Sequence, residues 1–134
     1  MIRARAAGAL LSLASACSST QELETKQSAG RVARAVDVLR DAPNAGKAVA
    51  LQELVRTPCR GPEVCATRDA CSSAYALHVD ATTLTQAAKL KLSEGDSAEA
   101  AKLLGASEEK LADSKRKVTA CVERESALRR RYKL

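Results

Sequence analysis

The chain has 134 residues, with 22 Lys and Arg against 16 Asp and Glu, for a formal net charge of +6. Phe and Trp are absent and Tyr75 and Tyr132 are the only aromatic residues, so the core must be thin and rich in alanine, the best helix former and one of the least bulky residues. A length of this order holds one domain, leaves little room for a large enclosed ligand pocket, and at this core size calls for covalent reinforcement.

Arg3 and Arg5 precede an uncharged run of eleven residues, Ala6 to Ala16. A basic start, a short apolar stretch and a small-residue end are the parts of a secretory signal, and eleven residues fall short of the roughly 20 that span a bilayer. Residues 1–16 are therefore expected to be a cleaved signal peptide. The small residues Ala14-Ser15-Ala16 running directly into Cys17 resemble the lipobox of bacterial lipoproteins. That resemblance implies acylation of Cys17 as the new first residue and, with Ser18 next, sorting to the outer membrane. Ala14-Ser15-Ala16 also suits ordinary A-x-A cleavage, which would release a soluble protein instead.

Residues 17–21 are expected as a polar, lipidated tether, and residues 22–134 as a single helical domain with a basic C-terminal end. From Glu22 to Asp41 the residues Ala29, Val32, Val36 and Leu39 recur on one helical face. Ala42-Pro43-Asn44 breaks this pattern, and Asn44 is a plausible cap for a shorter helix from Ala45 to Arg56 with an apolar face of Ala48, Leu51, Leu54 and Val55. Pro58-Cys59-Arg60-Gly61-Pro62 forms a corner, with Pro62 suited to the first position of the next helix. There Ala70, Ala74, Leu77, Ala81, Leu84 and Ala88 make a small-residue seam.

Gly95 suits the left-handed position after a helix, and Asp96 with Glu99 has capping-box spacing, so the chain should turn tightly into a last helix running from Ser97 to about Arg130. Its stripe is Ala100, Leu104, Ser107, Leu111, Ser114, Val118, Cys121 and Leu128, interrupted by Glu125. The run from Ala88 to Ser107, with Ala88, Gly95-Asp96, Ala100 and Leu104, resembles the middle of one tetratricopeptide repeat. Lys91 stands where that repeat prefers an aromatic residue, no proline follows at Ala112, and no second copy is present, so a general helical hairpin accounts for the same residues. The fold class is all-α: a small bundle of three to four helices with a long C-terminal hairpin.

Five cysteines are odd in an exported chain. With Cys17 set aside for acylation, Cys59, Cys65, Cys71 and Cys121 form an even set. A turn at Gly95 makes facing residue numbers across the hairpin sum to about 190, which brings Cys121 closest to Cys71. The expected disulfides are therefore Cys71–Cys121 and Cys59–Cys65. Zinc sites favour C-x2-4-C pairs, whereas Cys59, Cys65 and Cys71 are separated by five residues each, so no metal site is expected.

His78 is the only histidine, and no nucleophile and acid stand beside it in the pattern a triad requires; no catalytic residue, enzymatic activity or cofactor is expected. Glu22, Glu24, Glu108 and Glu109 read as solvated helix faces. Charge is uneven: from Cys17 to Glu109 eleven basic residues meet thirteen acidic ones, and from Lys110 onward nine meet three. Lys115, Arg116 and Lys117, then Arg129, Arg130 and Arg131, are the candidate binding residues for an anionic partner. Outside the inner membrane such a partner is an acidic protein, a lipid head group or an anionic envelope polymer rather than nucleic acid.

These features together lead to the expectation of a membrane-anchored periplasmic lipoprotein of structural or adaptor role, with a lipid at one end and a basic helix at the other. The alternative is a soluble secreted or periplasmic module whose hairpin receives a peptide.

Overall fold

A computed structural model describes residues 14–134, with side chains described from residue 18; residues 1–13 of the expected signal peptide and the side chain of Cys17, where acylation is expected, lie outside the described residues. Four helices follow one another: α1 (Ala14–Asp41), α2 (Asn44–Arg56), α3 (Pro62–Ser93) and α4 (Ser97–Tyr132), and among the described residues there is no strand. They run alternately up and down. No helix among the described residues is long and apolar enough to cross a membrane.

Helix α1 buries the expected face, with Ala29, Val32, Val36 and Leu39 all at 0% exposure. It starts earlier than the sequence pattern suggests, for Ser18-Ser19-Thr20-Gln21, expected as a tether, is helical. No Gly or Pro interrupts that stretch, and extending an existing helix adds a hydrogen bond for each residue fixed. Thr25 Oγ1 donates back to the Gln21 carbonyl at 2.8 Å. Buried Ser28 ties the helix to the corner, accepting from the Arg60 N–H at 2.8 Å and donating to the Pro58 carbonyl at 3.4 Å.

Helix α2 departs from expectation in two linked ways. Pro43, in extended conformation, precedes it without any side-chain cap, and the Asn44 side chain turns instead to His78, 3.1 Å from its Nε2. The buried residues are Lys47, Ala50 and Leu54 with Leu51 half-buried, whereas Ala48 is exposed and Val55 is 55% exposed. The helix is rotated because Lys47 is drawn inward. Its ammonium donates to the carbonyls of Leu39, Arg40 and Ala42 at 3.0, 3.0 and 2.8 Å. The Leu39 and Arg40 carbonyls have no partner further along α1 and that of Ala42 just follows its end, and a cation at a helix C-terminus also interacts favourably with the helix dipole.

Thr57 to Gly61 form the corner, where Cys59 is joined to Cys65 with their Cα atoms 5.1 Å apart. Gly61 takes φ +89°, a conformation open mainly to glycine, and Pro62 begins α3 as the sequence leads one to expect.

The α3–α4 hairpin has the most extensive contacts in the molecule. Thr67, Ala74, Ala81 and Ala88 on α3 and Ala100, Ser107, Ser114, Cys121 and Leu128 on α4 are all buried, each series repeating every seven residues as in supercoiled helix pairs. Ser107 Oγ donates across the interface to the Ala81 carbonyl at 2.8 Å, and Ser114 Oγ to the Ala74 carbonyl at 2.9 Å. Each of these pairs of residue numbers sums to 188. A serine side chain reaches a facing backbone only when two helices approach closely, which the small residues allow. Cys71 and Cys121 are joined, with Cα atoms 4.7 Å apart, in the pairing the hairpin register leads to.

At the tip, the Gly95 N–H bonds to Leu92 and the Asp96 N–H to Lys91, the two bonds of a Schellman ending, with Gly95 at φ +83°. Asp96 Oδ1 then accepts from the Glu99 N–H at 3.1 Å, capping α4. Val32, Val36, Leu39 and Leu54 pack against Val64, Cys71, Tyr75, Cys121 and Leu128, so the shared core lies in the half of the hairpin remote from Gly95.

Candidate functional site

The six candidate cations fall into two groups on α4. Fourteen residues separate Lys115 from Arg129, about 21 Å along the helix, so the groups form no single cluster. Lys115, Arg116 and Lys117 are exposed, and Arg116 pairs with Asp113. In the second group Arg131 pairs with Glu63 across to α3, while Arg130 is exposed.

Arg129 is a structural residue. Its Nη2 lies 2.6 Å from Asp37 Oδ2 and its Nε 2.8 Å from Glu125 Oε1, and Nη2 also reaches the Ala33 carbonyl at 3.5 Å. Glu125, which reads in sequence as a break in the apolar stripe, is 3% exposed and also pairs with Arg40; Arg40 in turn meets Asp37 at 3.2 Å. Two acids and two arginines thus close a ring between α1 and α4. Partial burial works against the charge on Arg40, but the hydrogen bond and charge of Glu125 outweigh it and hold its pKa above the usual arginine value. The hydrogen bonds that Arg129 donates to Glu125 and Asp37 raise its own pKa.

Sequence patterning also misses Lys47, whose ammonium lies 5.6 Å from the centroid of the Tyr75 ring. The available signals are positional: Glu125 stands four residues before Arg129, ion-pair spacing on a helix, and Lys47 stands four residues after the Pro43 break. His78 is half-buried on α3, and burial together with the charge of Lys47 lowers its pKa. It borders a cleft of about 460 Å³ with Asn44, Thr82, Thr85, Gln86 and Lys89. Glu24 pairs with Arg60, and Glu22, Glu108 and Glu109 are exposed. Among the described residues no three His, Cys, Asp or Glu side chains converge as metal ligands would.

The two ends of the domain come together. Glu24 of α1 pairs with Arg60 in the corner, Glu22 and Thr25 line a cleft with Arg131 and Tyr132, and Gly30 lies beside Leu134. The N-terminal half of α1 and the C-terminal end of α4 therefore share one end of the bundle, rather than occupying opposite ends. What α4 offers for binding is electrostatic: Lys115, Lys117 and Arg130 point outward, and none has an acidic partner among the described residues. No family model matches the chain, and comparison with curated proteins and with solved structures finds no match either.

Proposed function

We propose that the chain is an exported lipoprotein, held by acylated Cys17 to the periplasmic face of an outer membrane, that serves as an adaptor by offering cations of α4 to an acidic partner. The observation that carries this reading is cysteine pairing. Cys59, Cys65, Cys71 and Cys121 are all joined in pairs, which suits an oxidising compartment and leaves Cys17 over for the lipid. Because Arg129 and Arg131 are engaged within the fold, the contact falls to Lys115, Lys117 and Arg130.

Along α4, Lys115 and Lys117 lie about 21 Å from Arg130, so the partner would span much of the helix. An acidic protein captured by the full chain should be lost when Lys115, Lys117 and Arg130 are replaced by Gln, and capture should weaken steeply as salt is raised, since exposed charges are screened over about 8 Å at physiological ionic strength. Unchanged capture and unchanged salt dependence would remove the adaptor reading.

A further inference from the structure

We propose that the outward face of α1 is a docking surface for a bilayer containing anionic phospholipid, a role distinct from the acidic-protein contact on α4 and independent of acylation at Cys17. Opposite the face that buries Ala29, Val32 and Val36, helix α1 presents Leu23, Lys26, Gln27, Gly30, Arg31 and Arg34. With Leu134 they line a groove of about 410 Å³. Leu23 is 56% exposed and Leu134 42% exposed. Lys26, Arg31 and Arg34 are exposed, and none pairs with a carboxylate among the described residues.

The nearby acids are engaged or turned elsewhere. Glu24 pairs with Arg60 and Asp37 with Arg40 and Arg129, while Glu22 borders a different cleft beside Gly61 and Arg131. Between Leu23 and Arg34 the face therefore carries three cations and no acidic side chain, whereas on α4 Arg116, Arg129 and Arg131 are paired within the chain.

Charge and apolar surface together select the occupant. A soluble polyanion would satisfy Lys26, Arg31 and Arg34 but leave Leu23 and Leu134 in water. The boundary of a bilayer takes both, with apolar side chains entering between the acyl chains and head groups while Lys and Arg meet the phosphates. The face runs eleven residues from Leu23 to Arg34, about 17 Å, so α1 would lie along the membrane surface.

The test is co-sedimentation of the full chain with vesicles of phosphatidylcholine alone and of phosphatidylcholine mixed with phosphatidylglycerol. The N-terminal segment and any lipid on Cys17 are common to every variant, so the measured quantity is the ratio of binding to the two vesicles. The native chain should prefer the anionic vesicles. Replacing Lys26, Arg31 and Arg34 by Gln should reduce that preference at least about tenfold, because each cation at such a surface contributes about fivefold. Replacing Lys115, Arg116 and Lys117 by Gln, an equal change in charge, should reduce it by less than about threefold, since charges beyond a Debye length are screened. Equal losses in the two triple variants, or no preference for anionic vesicles in the native chain, would overturn the proposal. So would binding of soluble glycerophosphate that needs the same three cations without any vesicle preference, which would mark a small-anion site. Loss of acidic-protein capture in the α4 variant with vesicle preference intact would separate this surface from the adaptor contact.

Discussion

Glu125 is the residue whose removal should be felt most among the charged groups, because it is buried between Arg40 and Arg129. Breaking a fully buried ion pair costs about 3–5 kcal/mol, and the two arginines are 39% and 36% exposed, so water can take back part of their charge. Glu125→Ala should therefore destabilise the fold by about 2 kcal/mol, seen as a lower urea midpoint, and a midpoint within error of the native one would show the ring to be ornamental. His78 gives a pH dependence. Its pKa in the fold is lowered by burial and by Lys47, so the unfolded chain, titrating near 6.5, takes up the proton first. Stability from this group is complete above about pH 6.5 and falls as pH drops through the folded value. Urea unfolding at about pH 7.5 and about pH 5.5 should show a decline that is smaller in His78→Gln; equal declines would exclude His78 as its source. Neither Glu125 nor Lys47 was legible as a buried residue. Pattern reading assigns charged side chains to the surface, and their burial depends on partners 85 residues away for Glu125 and on the end of the preceding helix for Lys47.

At the scale of the elements, the hairpin is specified by small residues rather than large ones. Ala81 faces Ser107 across an interface close enough for a side-chain hydrogen bond to the backbone, so Ala81→Leu has no space to enter. It should destabilise by about 1–3 kcal/mol through overpacking, with a fall in thermal midpoint, although the same substitution on an exposed helix face is nearly neutral in propensity. An unchanged midpoint would mean that the helices sit further apart than described. The hairpin register could be read in advance because Gly95 fixes the turn and two antiparallel helices then advance at equal rise; hence the expected sum of about 190 against the 188 of the serine bonds. The face of α2 could not, since Ala48 and Val55 look more apolar than Lys47, and only the unsatisfied carbonyls at the end of α1 bring the lysine inward.

For the molecule as a whole, the long-range disulfide and the helix count decide most. Cys71 and Cys121 lie 50 residues apart, and a loop of that size contributes roughly 4 kcal/mol in the chain-entropy account. Replacing both by Ala should lower stability by about that amount, while a loss below about 1 kcal/mol would mean that the unfolded chain is already restrained. The meeting of the two ends was not legible, because three helices would send them to opposite ends and four bring them together, and the composition left both counts open. The proposed exported compartment rests on the four paired cysteines, with Cys17 left over for the lipid. The most direct measurement is therefore the intact mass of native protein from a membrane fraction, before and after reduction. The expected mass is that of residues 17–134 plus lipid, gaining about four mass units on reduction as two disulfides each take up two hydrogens. A mass that retains Met1 and does not change on reduction would contradict it.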